Sequence, residues 1–166
     1  MHRTFEIRRA RDATDLRACA ELFREYEQSL PISLDYQDFG SELSQLPGKY
    51  SPPGGRLLLA RNDGLAAGCI ALRRHSASDA EIKRLYVRPQ FRGSGLGRKL
   101  VLAILEVARN SGYAAVKLDT LRSMDDAARL YRALGFSEIV AYYEPTPPGT
   151  RFFNLELDDS PGHGAS

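Results

Sequence analysis

The sequence predicts one domain of mixed α and β structure, built on a sheet that holds both parallel and antiparallel strands. Three observations predict it. Short apolar runs of strand length recur between residues 5 and 157, separated by Gly, Pro, Asn and Asp turn signals. Two of these runs, 81–87 and 114–119, flank a long amphipathic segment and must lie parallel, whereas Asn62-Asp63-Gly64 closes an antiparallel hairpin. Finally, 166 residues with 43% apolar and 27% charged side chains suffice for one core, and the chain shows neither repeat nor linker.

Each element follows from its residues. Phe5-Glu6-Ile7-Arg8 alternates as a half-buried strand does. Asp12 or Thr14 caps a helix over 15–28, whose apolar stripe is Leu16, Cys19, Ala20 and Phe23. Phe39, Leu43 and Leu46 predict a second helix over 36–46, stopped by Pro47-Gly48, and Ser51-Pro52-Pro53-Gly54-Gly55 is a loop. Strands 57–60 and 65–72 form the hairpin, and 81–87 is the next strand. The helix over 95–110 buries Leu96, Leu100, Ala103, Ile104, Val107 and Ala108 and ends at Ser111-Gly112. A strand over 114–119, a short helix over 125–134 closed by Gly135, and strands over 136–141 and 152–157 around a Pro-rich loop at 145–149 complete the domain. That makes about six to seven strands and about four helices. The domain is expected over 1–158, with 159–166 a flexible tail.

Bulk properties exclude several function classes. A nucleic-acid binder is usually more basic than a net charge of +2, with its charge on one face, so no nucleic-acid partner is expected. The polar N-terminus is no signal peptide, and no run approaches the ~18 apolar residues a membrane span needs, so a cytosolic protein without membrane contact is expected. Cys19 and Cys69 lie apart among apolar neighbours, as buried reduced thiols do, and no His/Cys/carboxylate set has metal-ligand spacing.

The run Leu85-Tyr86-Val87-Arg88-Pro89-Gln90-Phe91-Arg92-Gly93-Ser94-Gly95-Leu96-Gly97-Arg98 carries the densest chemical information. It predicts a strand, a glycine-rich turn and a helix start. Glycines at 93, 95 and 97 strip alternate side chains from the turn, so backbone N–H groups can converge on one point. The helix N-terminus behind them adds partial positive charge, and Arg92 and Arg98 bracket the turn with full charges. This is a cradle for a phosphate or pyrophosphate. It is not a P-loop, because Arg98 follows Gly97, and it is not the dinucleotide fingerprint, whose third glycine would come one position later. Lys83, Arg84, Arg88 and Lys99 extend the cationic run.

Together with Ala127-Ala128-Arg129-Leu130-Tyr131-Arg132-Ala133-Leu134-Gly135-Phe136, this stretch resembles the two characteristic motifs of the GNAT superfamily of N-acetyltransferases, in their usual order and spacing. The resemblance spans residues 4–157. It implies a twisted, mostly antiparallel GNAT sheet, acetyl-CoA as co-substrate, no metal, and direct acetyl transfer to a primary amine of a small molecule or peptide. A homodimer is compatible with it.

The resemblance also assigns roles. Backbone groups of Leu85, Tyr86 and Val87 would pair with the pantetheine arm and face the thioester oxygen, near a bulge suggested by the alternation slip at Arg84-Leu85. Arg92, Gly93, Ser94, Gly95, Leu96, Gly97 and Arg98 would hold the pyrophosphate. Tyr131 would be the general acid that re-protonates the departing thiolate. Glu81, which shares a strand face with Asp79, is the candidate general base. Met124 stands where many relatives carry asparagine, which removes one side-chain hydrogen bond to the co-substrate. Acceptor recognition is expected from 26–50, 51–55 and 142–153, with Tyr142, Tyr143, Phe152 and Phe153 as an apolar slot. Glu144 and Arg151 leave the sign of the acceptor open. The rival reading is a non-catalytic acyl-CoA-binding module on the same fold.

Overall fold

In the computed structural model, which describes residues 4–34 and 37–157, the chain alternates strands and helices around one sheet. In order they are β1 (Glu6–Arg9), α1 (Ala13–Gln28), α2 (Phe39–Ser44), β2 (Arg56–Asn62), β3 (Leu65–Arg74), β4 (Asp79–Val87), α3 (Leu96–Asn110), β5 (Ala115–Thr120), α4 (Asp125–Ala133), β6 (Ser137–Ile139) and β7 (Arg151–Glu156). Single 3-10 turns occupy Gly48–Tyr50 and Pro89–Phe91. The spatial order is β1-β2-β3-β4-β5-β7-β6. Every neighbouring pair is antiparallel except β4 and β5. There α3 carries the chain back to the starting edge, which makes the pair parallel.

The sheet separates two cores, and the period of two in each strand decides which side chain enters which. Leu58, Ala60, Ile70 and Leu72 face α3, where Leu100, Val101 and Ile104 cover them with Val116 and Phe153. Leu57, Leu59, Cys69 and Ala71 face the opposite way, against Cys19, Leu22 and Phe23 of α1 and Phe39 of α2. Both cysteines are fully buried free thiols. Asp12 caps α1 by accepting from the Asp15 N–H at 2.9 Å. Asp15 is itself buried, and it accepts from the Arg11 N–H at 3.0 Å and from Arg61 Nη2 at 2.8 Å, tying α1 to β2.

Several boundaries differ from the sequence expectation. α2 begins at Phe39, because Asp38 takes the left-handed conformation (φ 57°) and starts the helix late; Tyr36, its expected start, lies outside the described residues. β4 begins two positions early, at Asp79, where it meets β5. β6 is shorter than expected, since among the described residues it pairs with β7 alone, at the sheet edge, and Val140 beyond it is exposed. The expected tail at 159–166 lies outside the described residues.

Candidate active site

The site opens where β4 and β5 part. Their pairing joins Asp79–Glu81 to Ala115–Lys117 and then stops. From Ile82 onward the β5-facing edge of β4 has no strand partner among the described residues, so its peptide groups face a cleft. A bulge accompanies the split. Lys83 pairs with Ala71 and Tyr86 with Cys69, so three steps along β4 match two along β3. This is the Arg84-Leu85 slip expected from the sequence.

Arg84 sits in the left-handed region (φ 60°), which costs a non-glycine residue about 1–2 kcal/mol. Its buried side chain holds it there. Nε and Nη2 grip both Glu42 carboxylate oxygens at 2.8 and 2.9 Å, and Nη1 donates to Gln37 Oε1 at 2.7 Å. Burial alone would raise the Glu42 carboxyl, but the hydrogen bonds and charge of Arg84 outweigh it and hold the group below the usual carboxylate range. Gly68 matters here: a Cβ on it would lie 2.7 Å from the Tyr86 carbonyl, so only glycine lets β3 approach the bulged strand.

A groove of about 630 Å³ runs along this open edge. Leu85, Tyr86, Val87, Arg92 and Gly97 form one wall, and Met124, Ala127 and Leu130 form the other. Tyr26, Ser29, Leu30 and Pro31, at and after the end of α1, complete it. At its far end Gly93 (φ 78°) and Gly95 (φ 84°) make a turn open to glycine. Among the described residues, the N–H groups of residues 93–98 donate to no protein acceptor; the first helical bond is Lys99 N to Gly95 O, at 3.1 Å. Six consecutive free donors at a helix start fit an anion's oxygens.

The expected cradle residues therefore divide by role. Gly93, Ser94, Gly95 and Leu96 contribute backbone, while the Leu96 side chain is core and the Ser94 hydroxyl donates to the Phe91 carbonyl. Arg92 reaches over the Tyr86 ring at 5.7 Å and donates to the Val87 carbonyl, and Arg98 is exposed on the first turn of α3. The rest of the cationic run serves other ends: Arg84 is buried on Glu42, and Arg88 is bound to Glu25 at 2.7 Å.

Under the split lies a smaller cavity, lined in part by Ile82, Lys83, Leu85, Thr120, Met124 and Tyr131. Tyr131 is 4% exposed, its ring packed against Phe136 and Phe153 at 5.4 and 6.3 Å. Its hydroxyl has no hydrogen-bond partner among the described residues. Burial, seconded by Tyr26 and Asp119, pushes its pKa up, so the phenol keeps its proton. The Thr120 hydroxyl is likewise buried without a partner.

Beyond Lys83 a further cavity of about 230 Å³ lies between β3, β4 and the 142–143 segment. Glu81 lies in its wall, buried, accepting from the Tyr142 hydroxyl at 2.6 Å and paired with Arg73 at 3.2 Å and Lys83 at 3.9 Å. Asp79, on the same strand face, is taken by Lys117 at 2.7 Å. The expected apolar slot is corrected here. Tyr142 and Tyr143 do line the cavity, but their hydroxyls bind Glu81 and Asp119, whereas Phe152 and Phe153 are core. The 51–55 loop stays away from this cavity, its Gly54 carbonyl accepting from the Tyr113 hydroxyl. Sequence reasoning named the 26–50 stretch that holds Lys49 but missed Arg73 and His75 as wall residues, because only the fold brings the end of β3 beside Lys49 and the 142–143 segment.

Among the described residues, no group of three His, Cys, Asp or Glu could hold a metal ion, and no helix is long and apolar enough to cross a membrane. The model of the Acetyltransferase (GNAT) family matches residues 16–136. An N-acetyltransferase of Schizosaccharomyces pombe is 38% identical over 138 residues, covering 82% of this chain and 85% of that protein. An acetyltransferase structure from Streptococcus agalactiae superposes with a TM-score of 0.76 at 25% identity, over 92% of this chain and 98% of the other. An acetyltransferase of Salmonella typhimurium, solved with acetyl-CoA, shares the fold at a TM-score of 0.69 and 22% identity, over 95% of this chain and 96% of its own. The matched span runs from α1 through the split strands to the end of α4, so the chain belongs to the GNAT family and is an N-acetyltransferase.

Proposed function

We propose that the chain moves the acetyl group of acetyl-CoA directly onto a primary amine of a small molecule or peptide. The observation that carries this reading is the placement of three features along the open edge of β4, across a groove and an adjoining cavity that share Leu85 and Met124. These are six free N–H groups at residues 93–98, the unpaired edge of β4, and a protonated Tyr131 at the inner end.

The N–H groups of 93–98, with Arg92 and Arg98, take the pyrophosphate. Peptide groups of Leu85 and Val87 pair with the pantetheine amides as a missing β5 partner would, and a backbone N–H at Leu85 or Tyr86 faces the thioester oxygen. The amine enters from the Glu81 side, and Glu81 takes its proton as the C–N bond forms. When the C–S bond breaks, Tyr131 gives its proton to the departing thiolate. A free phenol (pKa ~10) is a weaker acid than a thiol (~8.5), but the dry cavity that raises Tyr131 raises the thiol as well, so the transfer stays near balance.

Isothermal calorimetry with acetyl-CoA and thiol release over an amine panel test this. Gly97→Trp is the informative variant. Gly97 lines the groove in ordinary backbone geometry, and a Cβ there meets only Leu130 at 3.7 Å, so the protein folds and the indole fills the groove. Acetyl-CoA affinity should fall at least tenfold. Binding without thiol release for any amine would favour the non-catalytic module.

A further inference from the structure

We infer that the cavity beside Glu81 receives an amine that also carries a carboxylate, a class of acceptor that includes free amino acids; the inference rests on the acetyl-transfer reading above. The cavity lies beyond the split from the groove and shares Lys83 and Gln37 with the cavity that holds Tyr131. An acceptor bound in it therefore points its inner end at the acetyl group.

Its charges are unequal. Lys49, Arg73 and Lys83 line it against a single carboxylate, Glu81. Just behind the wall, Asp119 lies 3.4 Å from Lys83 and offsets one of them, while both oxygens of Glu42 are occupied by Arg84. One positive charge remains uncompensated. An amino acid with its amine in the reactive neutral form carries one negative charge, so the two match.

The free donors lie at the right end. Arg73 Nε lies 3.2 Å from a Glu81 oxygen, as an ion pair without hydrogen-bond geometry. Its two terminal nitrogens donate to no protein acceptor among the described residues, and this planar fork suits a carboxylate. Lys49, at the outer rim, makes no hydrogen bond among the described residues; its ammonium lies 3.7 Å from the already engaged Glu42 and 5.9 Å from the centre of the Tyr50 ring. Burial, and then the charges of Arg73, Arg84 and Lys83, hold Lys49 below the usual lysine range in spite of Glu42, as a positive local field would. At the inner end, Lys83 disfavours an ammonium and favours the neutral amine that can attack. A diamine or a basic peptide would instead place its second cation on Lys49 and Arg73. The volume, about eight waters at ~30 Å³ each, suits a small acceptor.

The test measures thiol release from acetyl-CoA with alanine, phenylalanine and glutamate, each beside its methyl ester, and with putrescine. Losing a charge-assisted pairing should lower kcat/KM about 10- to 100-fold from acid to ester, with putrescine no better. Lys49→Met, at a rim position, should raise KM for the acids at least fivefold, leave kcat within threefold, and narrow the acid-to-ester ratio. Arg73→Met should narrow that ratio further. Esters or putrescine turning over as fast as the acids, or no acid turning over while acetyl-CoA still binds, would overturn this inference and leave the acetyl-CoA site standing. Failure of acetyl-CoA to bind would remove the transfer reading and this inference with it.

Discussion

At Tyr131 the ring and the hydroxyl have separable jobs. The ring fills core space between Phe136 and Phe153, and the hydroxyl bonds to nothing in the described protein. Tyr131→Phe should therefore leave the urea midpoint and acetyl-CoA affinity near wild type while turnover falls roughly 10²–10⁴-fold. A donor whose thiol leaves more readily should recover part of the loss. Full turnover in this variant would assign the proton to water or another group. Cys69 makes a quieter case. Its thiol donates to the Arg84 carbonyl at 3.4 Å, and burial pushes its pKa up, while burial takes Cys19 to about 12. Since the thiolate is the reactive form, both cysteines should resist thiol reagents in the native protein and react at the rate of unfolding.

At the scale of the element, the bulged β4 depends on a contact with α2 that no local pattern reveals. Arg84→Gly separates two opposing effects. It relieves a left-handed backbone worth about 1–2 kcal/mol, but it strips the buried Glu42 of its partner, at about 3–5 kcal/mol. The second effect is larger, so a net loss of about 1–4 kcal/mol should appear in urea unfolding. Stability equal to or above wild type would mean the ion pair does not hold the bulge. Arg84→Gly/Glu42→Leu, which removes the orphaned charge, should recover most of the loss. If the bulge aims the β4 edge at the thioester, turnover should stay low even then.

Over the whole molecule, stability should form a plateau in pH with two edges. Asp15, Glu42 and Asp79 are all held below the ordinary carboxylate range. A backbone N–H bond from Arg11 leads at Asp15, the Arg84 pairing prevails over burial at Glu42, and the Lys117 hydrogen bond leads at Asp79. Their folded values lie below their unfolded ones, so their contribution is complete above pH ~4 and is lost as pH falls through the folded values. At the alkaline edge Cys19 is raised to about 12 in the fold. Its contribution is present below the unfolded value near 8.5 and is lost as pH climbs toward 12. Urea midpoints should be flat from about pH 5 to 8 and fall on both sides. A midpoint unchanged at pH 3 would show that these carboxylates are not paired in solution.

Period and punctuation were enough to place most elements. Apolar alternation named the strands, Asp12 named the first cap, and the parallel pair followed from one crossover helix. The glycines at 93, 95 and 97 and the slip at Arg84-Leu85 were legible because they are local: each needs only its neighbours along the chain to state its backbone geometry. The late start of α2, the Lys117 partner of Asp79 and the place of Arg73 and His75 in the cavity beside Glu81 were not legible. Lys49, Arg73, His75, Glu81 and Tyr142 come from segments joined only by the sheet order and by the path of the chain after β6. Whether a carboxylate such as Glu81 or Asp79 faces a cavity or a lysine depends on which strand lies beside it. Strand neighbours are set by long-range packing, and the sequence around either residue holds no record of that choice.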